Sequence, residues 1–225
     1  MAIARFKKVC LDAVDPMRLG PFWADILDLR WEPADWGEGG LYGPEPQCRV
    51  WVNKVDEPKT VKHRVHLDMY AVSLAGLQAL GSQVDVPEGD DRTWTVMTDL
   101  EDGEYCAFLR NELPANRLHG LVVDCVDPRA QARWWGEVYG AMVIDNERGH
   151  STIENVPDMP ILTMDFCPVP EPKTAKNRIH WDVAVSDLDR MVDMGATVLR
   201  WKGDDGIAWH VLADPEGNEF CAFDA

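Results

Sequence analysis

Val55 to Asp68 reads VDEPKTVKHRVHLD, and Val169 to Asp182 reads VPEPKTAKNRIHWD. Nine of the fourteen positions are identical. A self-match this dense marks an internal duplication, and it governs the reading of the rest of the chain. Both copies end on a histidine in a strand-like run, His66 and His180, with Asp68 and Asp182 two residues further on. Side chains alternate along a strand. Arg64, His66 and Asp68 therefore share one face, and Arg178, His180 and Asp182 share the matching face.

The repeat continues on both sides. Upstream, LDAVDP at Leu11 to Pro16 matches VDCVDP at Val123 to Pro128, and Phe22-Trp23 matches Trp134-Trp135. Downstream, Glu104-Tyr105-Cys106-Ala107-Phe108 matches Glu219-Phe220-Cys221-Ala222-Phe223. The offset grows from 112 to 114 to 115 residues, which places small insertions in the loops between. The expected organisation is two copies of one module, 1–112 and 113–225, joined by the polar segment Asn111 to Arg117.

Within each copy the same series of elements recurs. Residues 5–13 read as a strand. Asp15-Pro16 then opens a helix, with aspartate as N-cap and proline at the first helical position. Leu19, Phe22, Trp23, Ile26 and Leu27 give that helix an apolar face, interrupted near its start by Gly20-Pro21. Asp127-Pro128 opens the matching helix, with Gln131, Trp134, Trp135 and Val138 on one side and Gly140 near its end. Three short strands follow, near 29–33, 39–43 and 47–54, and again near 141–145, 151–155 and 160–167. The first copy carries an aromatic, loop-like stretch here, WEPADWGEGGLYGPEP, whose Trp31, Trp36 and Tyr42 suit either a pocket mouth or ordinary packing. Asn146 to Gly149 reads as a hairpin turn.

The EPKT segments lead into the histidine strands, 64–72 and 178–185. Short helices follow, with Ser73 or Asp187 as N-cap and Gly81 or Gly195 as stop. Three strands then close each copy: 82–87, 92–98 and 104–110, and 196–201, 207–213 and 218–224. Asp214 to Asn218 is a tight-turn sequence. Strand–helix–three strands, four times over, is an α+β pattern with curved, largely antiparallel sheets.

Composition narrows the function. The formal charge is −17 and the pI about 4.6. Such a surface repels phosphate backbones, so nucleic acid is a poor partner, whereas cationic small molecules are attracted. Apolar runs are too short to span a bilayer, and MAIARFKK lacks the features of a signal peptide. A cytoplasmic protein is expected, with no membrane partner. The six cysteines form no CxxC pair and read as small buried residues of a reducing compartment.

The repeated βαβββ unit, the DP-opened helix with its FW or WW pair, RIHWDV and DPEGNEFC together resemble the vicinal oxygen chelate superfamily, in its glyoxalase-like and bleomycin-resistance branch. The resemblance covers nearly the whole chain. It implies tandem glyoxalase-like modules, each of two βαβββ units, forming open U-shaped barrels around a small-molecule site. Many members of that family bind a divalent metal there, and others bind drugs without one. The family's first ligand position falls on Lys8 in the first copy and Gly120 in the second, and neither offers a lone pair. The second falls on His66 and His180. The third, usually glutamate, falls on Cys106 and Cys221. No metal cofactor is therefore expected in the usual position. A set of His119, His180 and Glu219 is the alternative, and it needs a β-bulge or a change of register to turn His119 inward.

The expected ligand-binding residues are His66, Glu104, Cys106, His180, Glu219 and Cys221, with Trp51 and Trp209 as aromatic walls. Trp94 and Trp181 also lie on strands and suit either the cavity or the outer layer. Glu104 and Glu219 suit either acid–base work or structural pairing with Lys62, Arg64, Lys176 or Arg178. The leading reading is binding of a small aromatic or cationic molecule, in the manner of drug or secondary-metabolite sequestration, by a pseudo-symmetric monomer or a homodimer. The alternative is a lyase, isomerase or dioxygenase working through His180 with Glu219 and a divalent metal, or through His180 and Cys221 without one.

Overall fold

The computed structural model describes residues 2–44, 48–89 and 92–225. Four βαβββ units follow one another. The first is β1 (Ala4–Ala13), α1 (Pro16–Leu27), β2 (Arg30–Pro33), β3 (Gly39–Tyr42) and β4 (Cys48–Lys54). The second is β5 (Val65–Ala71), α2 (Leu74–Ala79), β6 (Gln83–Val86), β7 (Thr95–Thr98) and β8 (Glu104–Leu109). The third is β9 (Leu118–Cys125), α3 (Pro128–Tyr139), β10 (Met142–Asp145), β11 (Ser151–Glu154) and β12 (Thr163–Pro168). The fourth is β13 (Ile179–Val185), α4 (Leu188–Asp193), β14 (Thr197–Arg200), β15 (His210–Ala213) and β16 (Glu219–Asp224).

Two open eight-stranded sheets result. Sheet I has the order β14-β15-β16-β13-β1-β4-β3-β2, and sheet II the order β10-β11-β12-β9-β5-β8-β7-β6. Each sheet therefore joins one unit of the first sequence copy to one of the second. The joint is antiparallel in both, β1 on β13 and β5 on β9. A parallel pair opens each unit, such as β1 with β4, and antiparallel hairpins complete it.

Contacts inside each sequence copy hold the two sheets together. Trp23 of α1 donates its indole N–H to Asp99 at 3.3 Å, and Trp135 of α3 donates to Asp214 at 3.2 Å. Glu101 accepts from the backbone N–H groups of Val14 and Asp15 at the start of α1. Glu216 does the same for Val126 and Asp127. Asp15 makes no side-chain cap on α1, contrary to expectation, whereas Asp127 caps α3 through the Ala130 N–H. Around these hydrogen bonds lies a continuous core that includes Phe6, Trp23, Leu67, Trp135, Phe166, Trp181 and Phe220. Trp181 belongs to it, packed on Trp135, and not to a cavity.

Gly20-Pro21 does not interrupt α1. Gly20 is required because the Trp31 ring lies on it, with three ring atoms within 2.6 Å of where a Cβ would stand. Trp31 thus packs on α1 rather than lining a pocket mouth, and Trp36 is 90% exposed. Ser73 and Asp187 cap α2 and α4 as expected, and Asn146–Gly149 and Asp214–Asn218 form the expected turns. Glu45 and Pro46 of the aromatic loop, Gln47 at the expected start of β4, and Met1 lie outside the described residues.

The duplicated EPKT segments are the two connections that carry the chain between sheets, from β4 to β5 and from β12 to β13. They are matched contact for contact. Lys59 pairs with Glu104 at 2.7 Å and Lys173 with Glu219 at 2.6 Å. Lys62 pairs with Asp124, and Lys176 with Asp12. Arg64 donates to the Glu171 carbonyl, and Arg178 to the Glu57 carbonyl, so each connection holds the other. They enclose a cavity of about 400 Å³.

Candidate functional site

β1 is built to present polar groups on one face. Lys8, Cys10 and Asp12 alternate with the buried Val9 and Leu11, and Cys10 stands opposite His180 on β13. Asp182 faces Lys8 on one side and Cys221 of β16 on the other. These side chains line a cavity of about 550 Å³ on sheet I. Trp51, Trp209 and Phe223 wall it, and Glu219 and Asn53 also line it. Trp209 lies over Phe223, with ring centroids 5.5 Å apart. Five residues singled out from sequence thus meet in one place: Trp51, His180, Trp209, Glu219 and Cys221.

Nearly every charge in this cavity has a partner. The Lys8 ammonium is 3.0 Å from Asp182 Oδ2, and the Cys10 thiol donates to Asp182 Oδ1 at 3.4 Å. Asp12 accepts from Lys176 and from Asn53 at 3.0 Å. Glu38 accepts from the Trp51 indole at 3.3 Å. Glu219 accepts from Lys173 and from the Asn177 N–H at 3.2 Å, so its ammonium partner is Lys173 and not Lys176 or Arg178. Burial lowers the His180 pKa, which leaves the ring neutral at pH 7. Burial, with Asp182 and Asp12 nearby, pushes the Cys221 thiol up to about 12. It is a thiol at neutral pH and a poor nucleophile.

Sheet II presents the second set on its equivalent face. His66 Nε2 is 3.4 Å from Asp68 Oδ1, and the buried Cys106 thiol lies close to both. Glu104 accepts from Lys59 and from the His63 N–H at 3.0 Å. Burial raises its pKa, but these donors outweigh that and hold the carboxyl below its usual range, which does not suit a general acid. Its ammonium partner is Lys59 rather than Lys62 or Arg64.

His119 is brought in by an irregularity of the β5–β9 pairing. The pairing of β5 with β9 shifts between Asp68 and Met69, whose partners are Gly120 and Leu118. His119 is the extra residue of that bulge, and its ring reaches the Asp68 face. It stacks on Tyr70 at 4.7 Å, meets the edge of Phe108 at 4.9 Å, and holds Nε2 4.0 Å from Asp68 Oδ2. The bulge supplies the inward turn, but on sheet II. His180 and Glu219 are on sheet I, so the set His119, His180 and Glu219 is not assembled. The same bulge on β1 brings Lys7 to 4.7 Å from the Phe223 ring.

The sequence reading missed Lys8, Cys10, Asp12 and Asn53 as lining residues. For the first three the signal was available, because they alternate on β1 in step with the His–x–Asp of β13. Asn53 depends on the β1–β4 pairing, which sequence periodicity does not disclose.

A family model described as "Glyoxalase-like domain" matches residues 8–108 and again 120–223. The chain belongs to the glyoxalase-like domain family. Its fold is that of the vicinal oxygen chelate superfamily, in tandem. Glyoxalase I from Zea mays superposes with a TM-score of 0.73 at 12% identity, over 98% of this chain and 92% of that one. Its V278E mutant gives 0.70 at 14% identity, over 98% and 92%. The cppA protein from Streptococcus pneumoniae TIGR4 gives 0.54 at 8% identity, over 98% and 99%. No curated protein sequence matches the chain. Among the described residues no helix is long and apolar enough to cross a membrane.

The two faces of this glyoxalase-like protein differ in their fitness for a metal. On sheet I the Lys8 ammonium already stands against Asp182, and an ammonium repels a second cation. Cys10, His180 and Asp182 offer ligand atoms within 4.8 Å of one another there, but the ammonium already occupies Asp182 Oδ2. On sheet II, Asp68 Oδ1 and His119 Nε2 are buried without a hydrogen-bond partner, and the residues fit one.

Proposed function

We propose that the sheet I cavity binds a small organic molecule carrying a flat aromatic group, without a metal, as in sequestration of a drug-like or secondary-metabolite compound. The observation that carries this reading is the Lys8–Asp182 ion pair at the floor of an aromatic-walled cavity of about 550 Å³. A built-in cation stands where chemistry by a metal would need an open position. The volume suits a drug-sized ligand, and Trp51, Trp209 and Phe223 offer stacking surfaces. Asp12, Asp182 and Glu219 have ammonium partners, and Arg200 lines the cavity as well as Glu38, so little unbalanced negative charge is left to select a cation. A neutral aromatic molecule suits this cavity better than a cation does.

The test is a panel of neutral, cationic and anionic aromatic compounds, read by tryptophan fluorescence and melting temperature. For the compounds that bind, Trp209→Ala should weaken affinity about tenfold or more, which is about 1.4 kcal/mol. His180→Ala should cost less. A metal requirement for binding, or a larger loss from His180→Ala than from Trp209→Ala, would reverse the assignment.

A further inference from the structure

We propose that the cavity enclosed by the two EPKT connections is a second ligand site, which takes a small molecule through a phosphate or carboxylate group. It lies at the crossing between the sheets, away from either sheet face, and shares one described lining residue, Lys176, with the sheet I cavity.

The case starts from where an acidic chain gathers its cations. The formal charge is −17, yet Lys59, Lys62, Arg64, Lys176 and Arg178 all line this one cavity. Of the lining carboxylates, Glu57 and Glu171 are exposed, where water and salt screen them. The cations are not all held equally. Lys59 and Arg178 are tied to part-buried carboxylates, at 2.7 Å from Glu104 and 3.0 Å from Glu101. Lys62 and Lys176 each pair with one aspartate but are 63% and 53% exposed. An ammonium has three N–H donors, so both lysines keep donors for a second acceptor.

Two buried nitrogens among the lining residues have no hydrogen-bond partner, and both belong to the first connection. Arg64 donates through one terminal nitrogen to the Glu171 carbonyl at 2.8 Å, but its other terminal nitrogen is 3.9 Å from Glu216, too far for a hydrogen bond. Its Nε is buried without a partner. The His63 side chain is 8% exposed, and its Nδ1, 3.9 Å from Glu104, is unpartnered as well. The matching groups of the second connection are occupied. Arg178 donates to Glu101 at 3.0 Å, and the Asn177 amide donates to Asn218 at 3.0 Å. The difference traces to Gly103, which stands where the second copy has Asn218. A Cβ at Gly103 would lie 2.8 Å from His63 Cε1, so the glycine makes room for the imidazole and takes its partner away. Buried donors left unpaired are costly, and a ligand that brings acceptor oxygens removes that cost. A phosphate or carboxylate has the lone pairs to do so, and its geometry matches the fork of a guanidinium. The volume of about 400 Å³ leaves space for a small organic body behind the acidic group.

The experiment is calorimetric titration of the full chain with pyrophosphate and, separately, with citrate, at constant ionic strength. Saturable binding of at least one probe is expected, and the tighter of the two tells whether phosphate or carboxylate is preferred. Lys62→Gln, a change at a half-exposed side chain, should weaken that binding about tenfold. Arg64→Lys keeps the charge but removes Nε, and should weaken it at least as much. Melting curves without the probe confirm that each variant is folded. Arg200→Gln removes a cation from the sheet I cavity and should leave the affinity unchanged. No saturable binding of either probe, full affinity in Lys62→Gln, or lost affinity in Arg200→Gln would each overturn the proposal.

Discussion

Asp99 is buried in the turn before β8, where it accepts the backbone N–H groups of Glu101 and Gly103 and the Trp23 indole. Burial outweighs those donors and raises its pKa to about 6. An acid whose folded pKa lies above its unfolded one contributes stability that is complete below the unfolded value and lost as pH rises through the folded value. For Asp99 the loss runs from near pH 4 to above pH 6 and reaches about 3 kcal/mol, at roughly 1.4 kcal/mol per unit. Asp99→Asn removes this linkage while adding a constant packing cost. The stability of the variant relative to wild type should therefore rise by about 3 kcal/mol between pH 4 and pH 7 in urea titrations. A pH-independent difference would mean that Asp99 is not the titrating group. At the same scale, the sequence showed that His66 and His180 share a face with an aspartate. It did not show that one aspartate has an ammonium partner and the other none, because that depends on Lys8 and Gly120 from a different strand.

The helices and strands were legible where local chemistry fixes them. Ser73, Asp187, Gly81 and Gly195 bound α2 and α4 as capping rules require, because caps act within a turn of the backbone. Gly20-Pro21 misled because its reason is not local. The glycine accommodates Trp31, which arrives from β2 across the face of α1. Gly20→Ala has good helix propensity and should still destabilise the protein by about 1–3 kcal/mol, the usual cost of overpacking. Chemical denaturation measures it. A stabilising effect would show that Trp31 is free to move aside. The bulge in β9 belongs to this scale too. Alternation pointed His119 away from the site, and the extra residue reversed it.

Across the whole molecule, each sheet is completed by a unit from the other half of the sequence. Residues 1–112 alone would leave the inner edges of β1 and β5 without β13 and β9. Unpaired inner edges of this kind seek a partner strand. The fragment 1–112 should therefore fold only as a dimer of itself, or not as a compact species, in sedimentation experiments. A stable monomer would show that the half-chain is self-sufficient. The pairing also explains why the EPKT segments match so closely. Both perform the same crossing, and each arginine clasps the other connection.

The sequence by itself determined the duplication, the four βαβββ units and the family, because repeats, caps and strand alternation are written along the chain. The tertiary structure decided which units share a sheet, which lysine meets which carboxylate, and which of two similar histidine–aspartate faces lacks a built-in cation. Those outcomes depend on pairings far apart in the chain, from 45 positions for Lys59 and Glu104 to 164 for Lys176 and Asp12. A periodicity of two or 3.6 residues carries no information about them.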